Sequence, residues 1–336
     1  MQYRTIGNSG LITTDLSLGT MLFGEDSGRS TPEKEAKEIL SYYLAQGGNH
    51  IDTANVYAGG RSEEIIGRAL GASERKRSIL ATKVRFPMGE DPNQAGLSRL
   101  HIIESVEDSL RRLQTDYIDI LYVHAWDPIT PIAETLRALD DVVTSGKVRY
   151  LGVSNFKAWQ VMKAQGLADQ LGLHRFIAGQ YQYSLVKRDL EYEFIDLFES
   201  EGIGLLPWGP LGGGFLTGKY QRTGPTSGRI STTEDHTEES WERRNTEQNW
   251  RILDYIQELA KHYKATPSQI ALAWVRAKKV VSSVILGART LEQLKDNMGA
   301  AHINLQLEEV KQLDQLSQTP ELYPYRMLDA YAQRKF

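Results

Sequence analysis

Four side chains of this 336-residue sequence could together move a proton: Asp52, Tyr57, Lys83 and His124. A free phenol titrates near pH ~10, too high to exchange protons readily at neutrality. A neighbouring ammonium favours the phenolate and lowers that value, and a carboxylate can hold the ammonium charged and oriented. An imidazole would add a second hydrogen bond to the oxygen being protonated and set how the substrate sits. A carbonyl oxygen suits this set. The other histidines (His50, His101, His174, His236, His262 and His302) show no metal-ligand spacing. Hydride from a nicotinamide is then the simplest partner for such a proton donor.

Taken singly, each residue has a plainer reading. Asp52 and Lys83 could be a buried structural ion pair, Tyr57 a surface aromatic in a Gly-flanked loop, and His124 a satisfied buried histidine. Ser154 or Asn155 could cap the helix that follows, Gly212 to Gly214 could be ordinary loop material, and Trp208 could be core. Position along the chain argues otherwise. Candidate strands lie at residues 15–18, 50–53, 79–82, 118–123, 150–153, 176–179, 204–207 and 283–286. Asp52 ends the second, and Lys83, His124, Ser154-Asn155, Gln180, Trp208 and Gly287-Ala288-Arg289 follow the third to the eighth in order. In a barrel of parallel strands, catalytic groups gather at those C-terminal ends.

Several strands read as buried runs rich in β-branched residues (IDILYV, SVIL), as parallel strands covered on both faces should. Between them lie helix-period segments at 31–45, 62–70, 100–113, 130–144, 156–171, 190–200, 245–263 and 291–300. The first has Thr31 as N-cap, Pro32 in its first turn and a Gly47-Gly48 stop. Eight strand–helix repeats imply an α/β fold closed as a (β/α)8 TIM barrel, with an open doubly wound sheet as the rival. Residues 1–12 resemble a hairpin turning at Gly7-Asn8 or Ser9-Gly10 that plugs the barrel bottom. Residues 267–277 and 307–316 are two extra helices. Residues 209–239, after strand seven, are long, polar and rich in Gly, Ser and Thr, which predicts a lid. Arg111-Arg112 and Arg243-Arg244 read as solvated faces.

The bulk numbers fit one domain spanning residues 1–336, since such barrels run to about 250 residues and tolerate insertions; two smaller domains are the competing expectation. Hydrophobic residues make up 40% and charged residues 24%, enough to bury a large core. A net charge of -4 argues against nucleic acid or an anionic membrane as partner. With no cysteine there is no disulfide and no thiolate chemistry, which fits a reducing cytoplasm. The N-terminus lacks a signal-like pattern, and no apolar run reaches the ~18 residues of a membrane span. A soluble, cytoplasmic protein is expected.

The segments DTANVYAGGRSEEIIGRAL, ATKV, YVHAWD, GVSNF and GARTLEQLKDN resemble, in order, the signature segments of the aldo-keto reductase superfamily, over nearly the whole chain. That resemblance implies a (β/α)8 barrel binding NAD(P)H extended across its C-terminal rim, without a Rossmann fold. It makes Tyr57 the general acid/base, tuned by Asp52 and Lys83, with His124 orienting the carbonyl. Ser154, Asn155 and Gln180 would hold the nicotinamide amide and Trp208 would stack on its ring. Gly19, Thr20, Met21 and Asp52 would also line the cofactor. The stretch WGPLGGGFLTGK resembles the pyrophosphate-covering segment of the sugar and potassium-channel-subunit-like branches, with Leu211, Gly212 and Lys219 at the phosphates. Residues 287–297, through Gly287, Arg289, Gln293 and Asn297, would take the adenosine end. Many members have a lysine and an arginine near the 2′-phosphate where this chain has Gly287 and Gln293; Arg289 stands nearby, so NADP(H) is favoured and NAD(H) stays open.

The expected activity is interconversion of aldehydes or ketones and alcohols, with sugars or sugar-derived carbonyls suggested by the branch resemblance. Phe23, Tyr57, His124 and Trp126 are the expected substrate pocket, with Tyr183 nearby. The tail, with Tyr323, Tyr325, Met327 and Tyr331, could fold over the pocket or dock on a second copy in a homo-oligomer. Two rivals remain: a regulatory subunit that binds NADP(H) as a redox sensor with little turnover, and a lyase or isomerase forming a Schiff base on Lys83.

Overall fold

The computed structural model describes residues 1–24, 30–224, 228–232 and 239–331. The strands are β1 (Tyr3–Thr5), β2 (Ile12–Thr14), β3 (Leu16–Gly19), β4 (His50–Asp52), β5 (Ile79–Val84), β6 (Ile118–Val123), β7 (Val148–Ser154), β8 (Phe176–Gln180), β9 (Gly204–Leu205) and β10 (Val284–Gly287). Eight of them form one parallel sheet in the order β10-β3-β4-β5-β6-β7-β8-β9. The ring closes beyond β9: Leu205 N donates to Val280 O, Ser282 N to Leu205 O and Ile285 N to Pro207 O, at 2.8–3.0 Å. That closure makes the α/β architecture a (β/α)8 barrel rather than an open sheet.

The period-2 pattern of the strands sorts side chains into two cores. Ile79, Ala81, Ile120, Tyr122, Ala178, Leu206 and Ile285 fill the barrel interior. The intervening Leu80, Val84, Leu121, Val123, Leu205 and Leu286 point outward into the shell against the helices. Helices cover that shell in alternation with the strands, among them Glu33–Ala45, Arg61–Ala69, Arg99–Leu113, Ile132–Thr144, Ala158–Leu171 and Phe194–Glu201. The two extra helices are Pro267–Arg276 and Leu307–Leu316.

β1 and β2 pair antiparallel ahead of the barrel. Of the two turns considered, Gly7-Asn8 is the one used, with Ser9 N donating to Ile6 O at 3.1 Å. Gly7 has φ +54, and a Cβ there would stand 2.1 Å from Gly202 O, so the hairpin docks through bare backbone. Its Ile6 is fully buried within the interior core and stoppers the barrel from below.

Some local expectations are corrected. The helix Glu33–Ala45 takes Pro32 as N-cap with no side-chain cap, because the Thr31 hydroxyl donates instead to Arg289 O at 3.0 Å. Arg112 and Arg244 are not solvated. Arg112 Nε donates to the fully buried Glu63 at 2.6 Å, and Arg244 is 2% exposed with Nη1 donating to Val186 O. Arg111 does face solvent. The lid expected at 209–239 falls partly outside the described residues, as do His236 and the end of the tail. In the described part, Gly212–Thr217 forms a tight 3₁₀ turn. Tyr325–Tyr331 is a helix that sequence periodicity did not reveal, and Tyr325 stacks on Tyr192 and donates to Glu193 at 2.9 Å.

Candidate active site

The alternation that buries Ile79 and Ala81 brings Lys83 to the interior at the C-terminal end of β5, and the same phase on β4 points Asp52 inward. Lys83 Nζ donates to Asp52 Oδ2 at 2.6 Å and to Thr53 O at 2.7 Å, with Lys83 and Asp52 1% and 3% exposed. From the far side of the ring, Gln180 Nε2 donates to Asp52 Oδ1 at 2.7 Å. Burial pushes the Asp52 carboxyl up, opposed by Lys83 and Gln180. Burial also works against the Lys83 charge, but Asp52 and Tyr57 outweigh it and hold the ammonium above its ordinary value. Lys83 is therefore a fixed cation with its proton firmly attached.

Tyr57 opens the short turn Tyr57–Gly60, where Ala58, Gly59 and Gly60 all take positive φ. That turn folds the half-buried phenol back over the strand ends, with its ring centroid 4.9 Å from Lys83 Nζ, close enough for the phenol to favour the charged ammonium. A chain of hydroxyls anchors the base of the loop. Thr20 Oγ1 and N both donate to Asp52 O at 2.9 Å, and Ser62 Oγ bridges Thr20 and Thr53 at 2.9 Å. The His124 ring stands edge-on to Tyr57 at 5.9 Å and to Phe86 at 4.7 Å. Burial, with the charges of Lys83 and Arg85, pushes the imidazole down to about 2, so it is neutral across physiological pH. The four side chains thus meet at one mouth.

Ser154 and Asn155 do not cap the next helix, whose N-cap is Lys157. Ser154 Oγ donates to Gln180 O at 2.7 Å, and Asn155, at φ +54, donates through Nδ2 to His124 O and to Ser154 Oγ at 2.8 Å. The amide protons of Asn155 are spent within the protein, so its Oδ1 is the atom left to meet an incoming N–H. Trp208 packs against the interior core from above, its backbone paired with Tyr181 and Tyr183.

Along the rim, Gly212, Gly213 and Gly214 all have positive φ (57, 69 and 88°); Gly212 is buried against Val186, and Gly213 and Gly214 leave half-buried bare backbone. Leu211 N–H lies at the start of this turn, and Lys219 Nζ would sit 3.1 Å from a Cβ on Gly214. Burial and the nearby Arg289 push the Lys219 ammonium down. Two cations held close favour an anion between them. Arg289 N donates to Gln293 Oε1 at 2.9 Å, Asn297 Nδ2 donates to Gly287 O at 3.3 Å, and Gly287 itself is open to solvent. Gly19 ends β3 beside Asp52, Thr20 follows it, and Met21 is exposed on the same loop. These features fit an extended, anionic dinucleotide: acceptors at one end, bare backbone and cations at the other.

The expected pocket residues divide. Tyr57 and His124 are at the mouth, and Trp126 is half-buried beside Phe156 and Trp159. Phe23 is fully buried in the outer core and presents no surface to a ligand. Tyr183 is 1% exposed, with its hydroxyl donating to Glu191 and its ring against Trp274. Both are core aromatics; an aromatic near a rim segment carries no sign of which way it faces. Sequence reading missed Arg85 and Phe86. Arg85 follows β5 directly, at φ +151 and so outside the strand's alternation, and its charge and the Phe86 ring both reach His124.

A closed (β/α)8 barrel with this mouth defines an oxidoreductase-like class, and comparison with known proteins agrees. The family model described as "Aldo/keto reductase family" matches residues 15–318, and the chain belongs to that family. It is 38% identical over 330 residues to the "Probable voltage-gated potassium channel subunit beta" of Arabidopsis thaliana, covering 97% of this chain and 98% of that protein. It is 36% identical over 344 residues to the "Uncharacterized oxidoreductase YrpG" of Bacillus subtilis, covering 97% and 100%. "Protein tas" of Escherichia coli is 35% identical over 348 residues, covering 95% and 98%. Among the described residues no helix is long and apolar enough to cross a membrane, and no group of His, Asp and Glu is arranged to hold a metal.

Proposed function

We propose that this protein is an NAD(P)H-dependent oxidoreductase that interconverts aldehydes or ketones and alcohols, sugars or sugar-derived carbonyls among them, with Tyr57 as general acid/base. The observation that carries it is the buried Lys83–Asp52 pair beneath Tyr57, with neutral His124 at the same mouth. Tyr57 donates its hydroxyl proton to the carbonyl oxygen and is left as a phenolate, which the Lys83 ammonium stabilises. Asp52 keeps Lys83 charged, and His124 donates a hydrogen bond to the same oxygen without releasing a proton. The nicotinamide, when bound, supplies the hydride in reduction and receives it in oxidation. Ser154, Asn155 and Gln180 would hold its amide and Trp208 its ring face. Leu211, Gly212 and Lys219 would hold the pyrophosphate, and Gly287, Arg289, Gln293 and Asn297 the adenosine end. Arg289, at the adenosine end, supports NADP(H) through attraction to the added 2′-phosphate charge.

The test is steady-state oxidation of NADPH and NADH with a panel of aldehydes, ketones and sugars. Turnover with any carbonyl supports the proposal. No turnover with a full panel, while NADPH still quenches tryptophan fluorescence, would favour the redox-sensing regulatory subunit, and the Arabidopsis relative is named as a potassium channel subunit. A Schiff base on Lys83 is disfavoured: a fully buried ammonium held by Asp52 has no free lone pair with which to attack.

A further inference from the structure

Beside the proton-transfer groups stands a guanidinium that no carboxylate among the described residues pairs with. Ile79, Ala81 and Lys83 turn inward along β5, and Arg85 comes next, where the chain leaves the strand. Its Cζ lies 5.2 Å from the centre of the Phe86 ring, and that ring packs edge-on to His124. Arg85 is half-buried, its Nε is buried with no hydrogen-bond partner, and no carboxylate among the described residues pairs with it.

Three other sheltered arginines each pair with a carboxylate: Arg75 with Asp119 at 2.7 Å, Arg188 with Glu191 at 2.6 Å and Arg276 with Asp15 at 2.9 Å. Two described carboxylates on neighbouring elements are already engaged. Asp52 is held by Lys83 and Gln180, and Asp127, at the neighbouring loop, accepts from Leu97 N, Ile129 N and Thr130 Oγ1. A partly desolvated guanidinium without acceptors costs free energy, and its planar fork matches a carboxylate or a phosphate in two-point contact.

We propose that Arg85 binds an oxyanion, carboxylate or phosphate, carried by the carbonyl substrate, so that the enzyme selects anionic aldehydes or ketones over neutral ones of like shape. This rests on the reading of the mouth as a carbonyl-reducing site. Phe86 lies against both Arg85 and His124, so the anion and the reacting carbonyl are separated by only a few carbon atoms. Arg85 acts on binding and leaves proton transfer to Tyr57.

The test measures kcat/KM for matched pairs in wild type, Arg85→Met and Arg85→Lys. The pairs are succinic semialdehyde with butanal, 4-carboxybenzaldehyde with benzaldehyde, and glyceraldehyde 3-phosphate with glyceraldehyde. The expected result in Arg85→Met is a loss of about 10- to 100-fold for the charged member of at least one pair, mostly in KM, with neutral members within about 2-fold. Which charged members suffer distinguishes carboxylate from phosphate, and Arg85→Lys should recover part of the loss. Equal losses within every pair, or none for any charged member, overturn the proposal. Should no carbonyl turn over at all, the reductase reading fails, yet calorimetric binding of 4-carboxybenzyl alcohol and phenyl phosphate still decides the role of Arg85. Weaker binding of either to Arg85→Met than to wild type supports it, and equal affinity for both contradicts it.

Discussion

Replacing Lys83 by methionine should be among the more damaging single changes to stability, before any substrate is present. Lys83 and Asp52 are 1% and 3% exposed and in contact at 2.6 Å. Removing the ammonium leaves a buried carboxylate whose remaining side-chain partner is the Gln180 amide at 2.7 Å. Breaking a buried pair in this way costs about 3–5 kcal/mol. With an unfolding entropy of about 2.1 cal/mol/K per residue, a loss of about 4 kcal/mol lowers Tm by about 6 °C for a chain this long. The deficit should shrink on acidification, because burial has already pushed the Asp52 carboxyl up and protonation relieves the unpaired charge. Adding Asp52→Asn should recover at least about 2 kcal/mol, since it removes the orphaned charge. Urea unfolding followed by circular dichroism at pH 8 and pH 6 for the four proteins of this cycle gives the coupling directly. Additive single losses, equal at both pH values, would refute the reasoning.

Two further outcomes follow from buried groups away from the mouth. Burial and the Lys83 charge push the fully buried His50 down to about 3, so below about pH 6.5 the unfolded chain takes up a proton that the folded chain refuses. Stability should therefore fall as pH drops from about 6.5 towards 3, by about 1.4 kcal/mol per unit, and denaturation curves of His50→Gln should lack that slope; parallel slopes would contradict it. Arg112→Met strands the fully buried Glu63 and should cost about 3 kcal/mol in urea unfolding, with Glu63→Gln restoring much of it; a loss below about 0.5 kcal/mol would mean that the surface reading of Arg112 was right after all.

The barrel and its mouth were legible because both follow from a period of two. Once Ile51, Leu80 and Val123 are assigned to the outer shell, Asp52, Lys83 and His124 must face inward, and strand ends place them at one rim. Residues in turns carried no such rule. Thr31 looked like a cap by type, but its hydroxyl found the Arg289 carbonyl across the rim, a long-range partner that local spacing does not encode. Ser154 and Asn155 had the composition of a cap and serve Gln180 and His124 instead. Arg112 and Arg244 read as solvated because charge is usually exposed, whereas helix packing set one against Glu63 and buried the other. Phe23 and Tyr183 show the same limit: proximity along the chain to a rim residue does not fix the direction of a side chain.

Substitution of Tyr57 by phenylalanine gives the sharpest measurement, because it removes one oxygen and leaves the ring against His124 in place. NADPH affinity, read from tryptophan fluorescence, is expected to stay within about 2-fold of wild type, while carbonyl turnover falls by about 10²–10⁴-fold. A variant that binds NADPH normally and reduces carbonyls at close to the wild-type rate would contradict the assignment of proton transfer to this phenol.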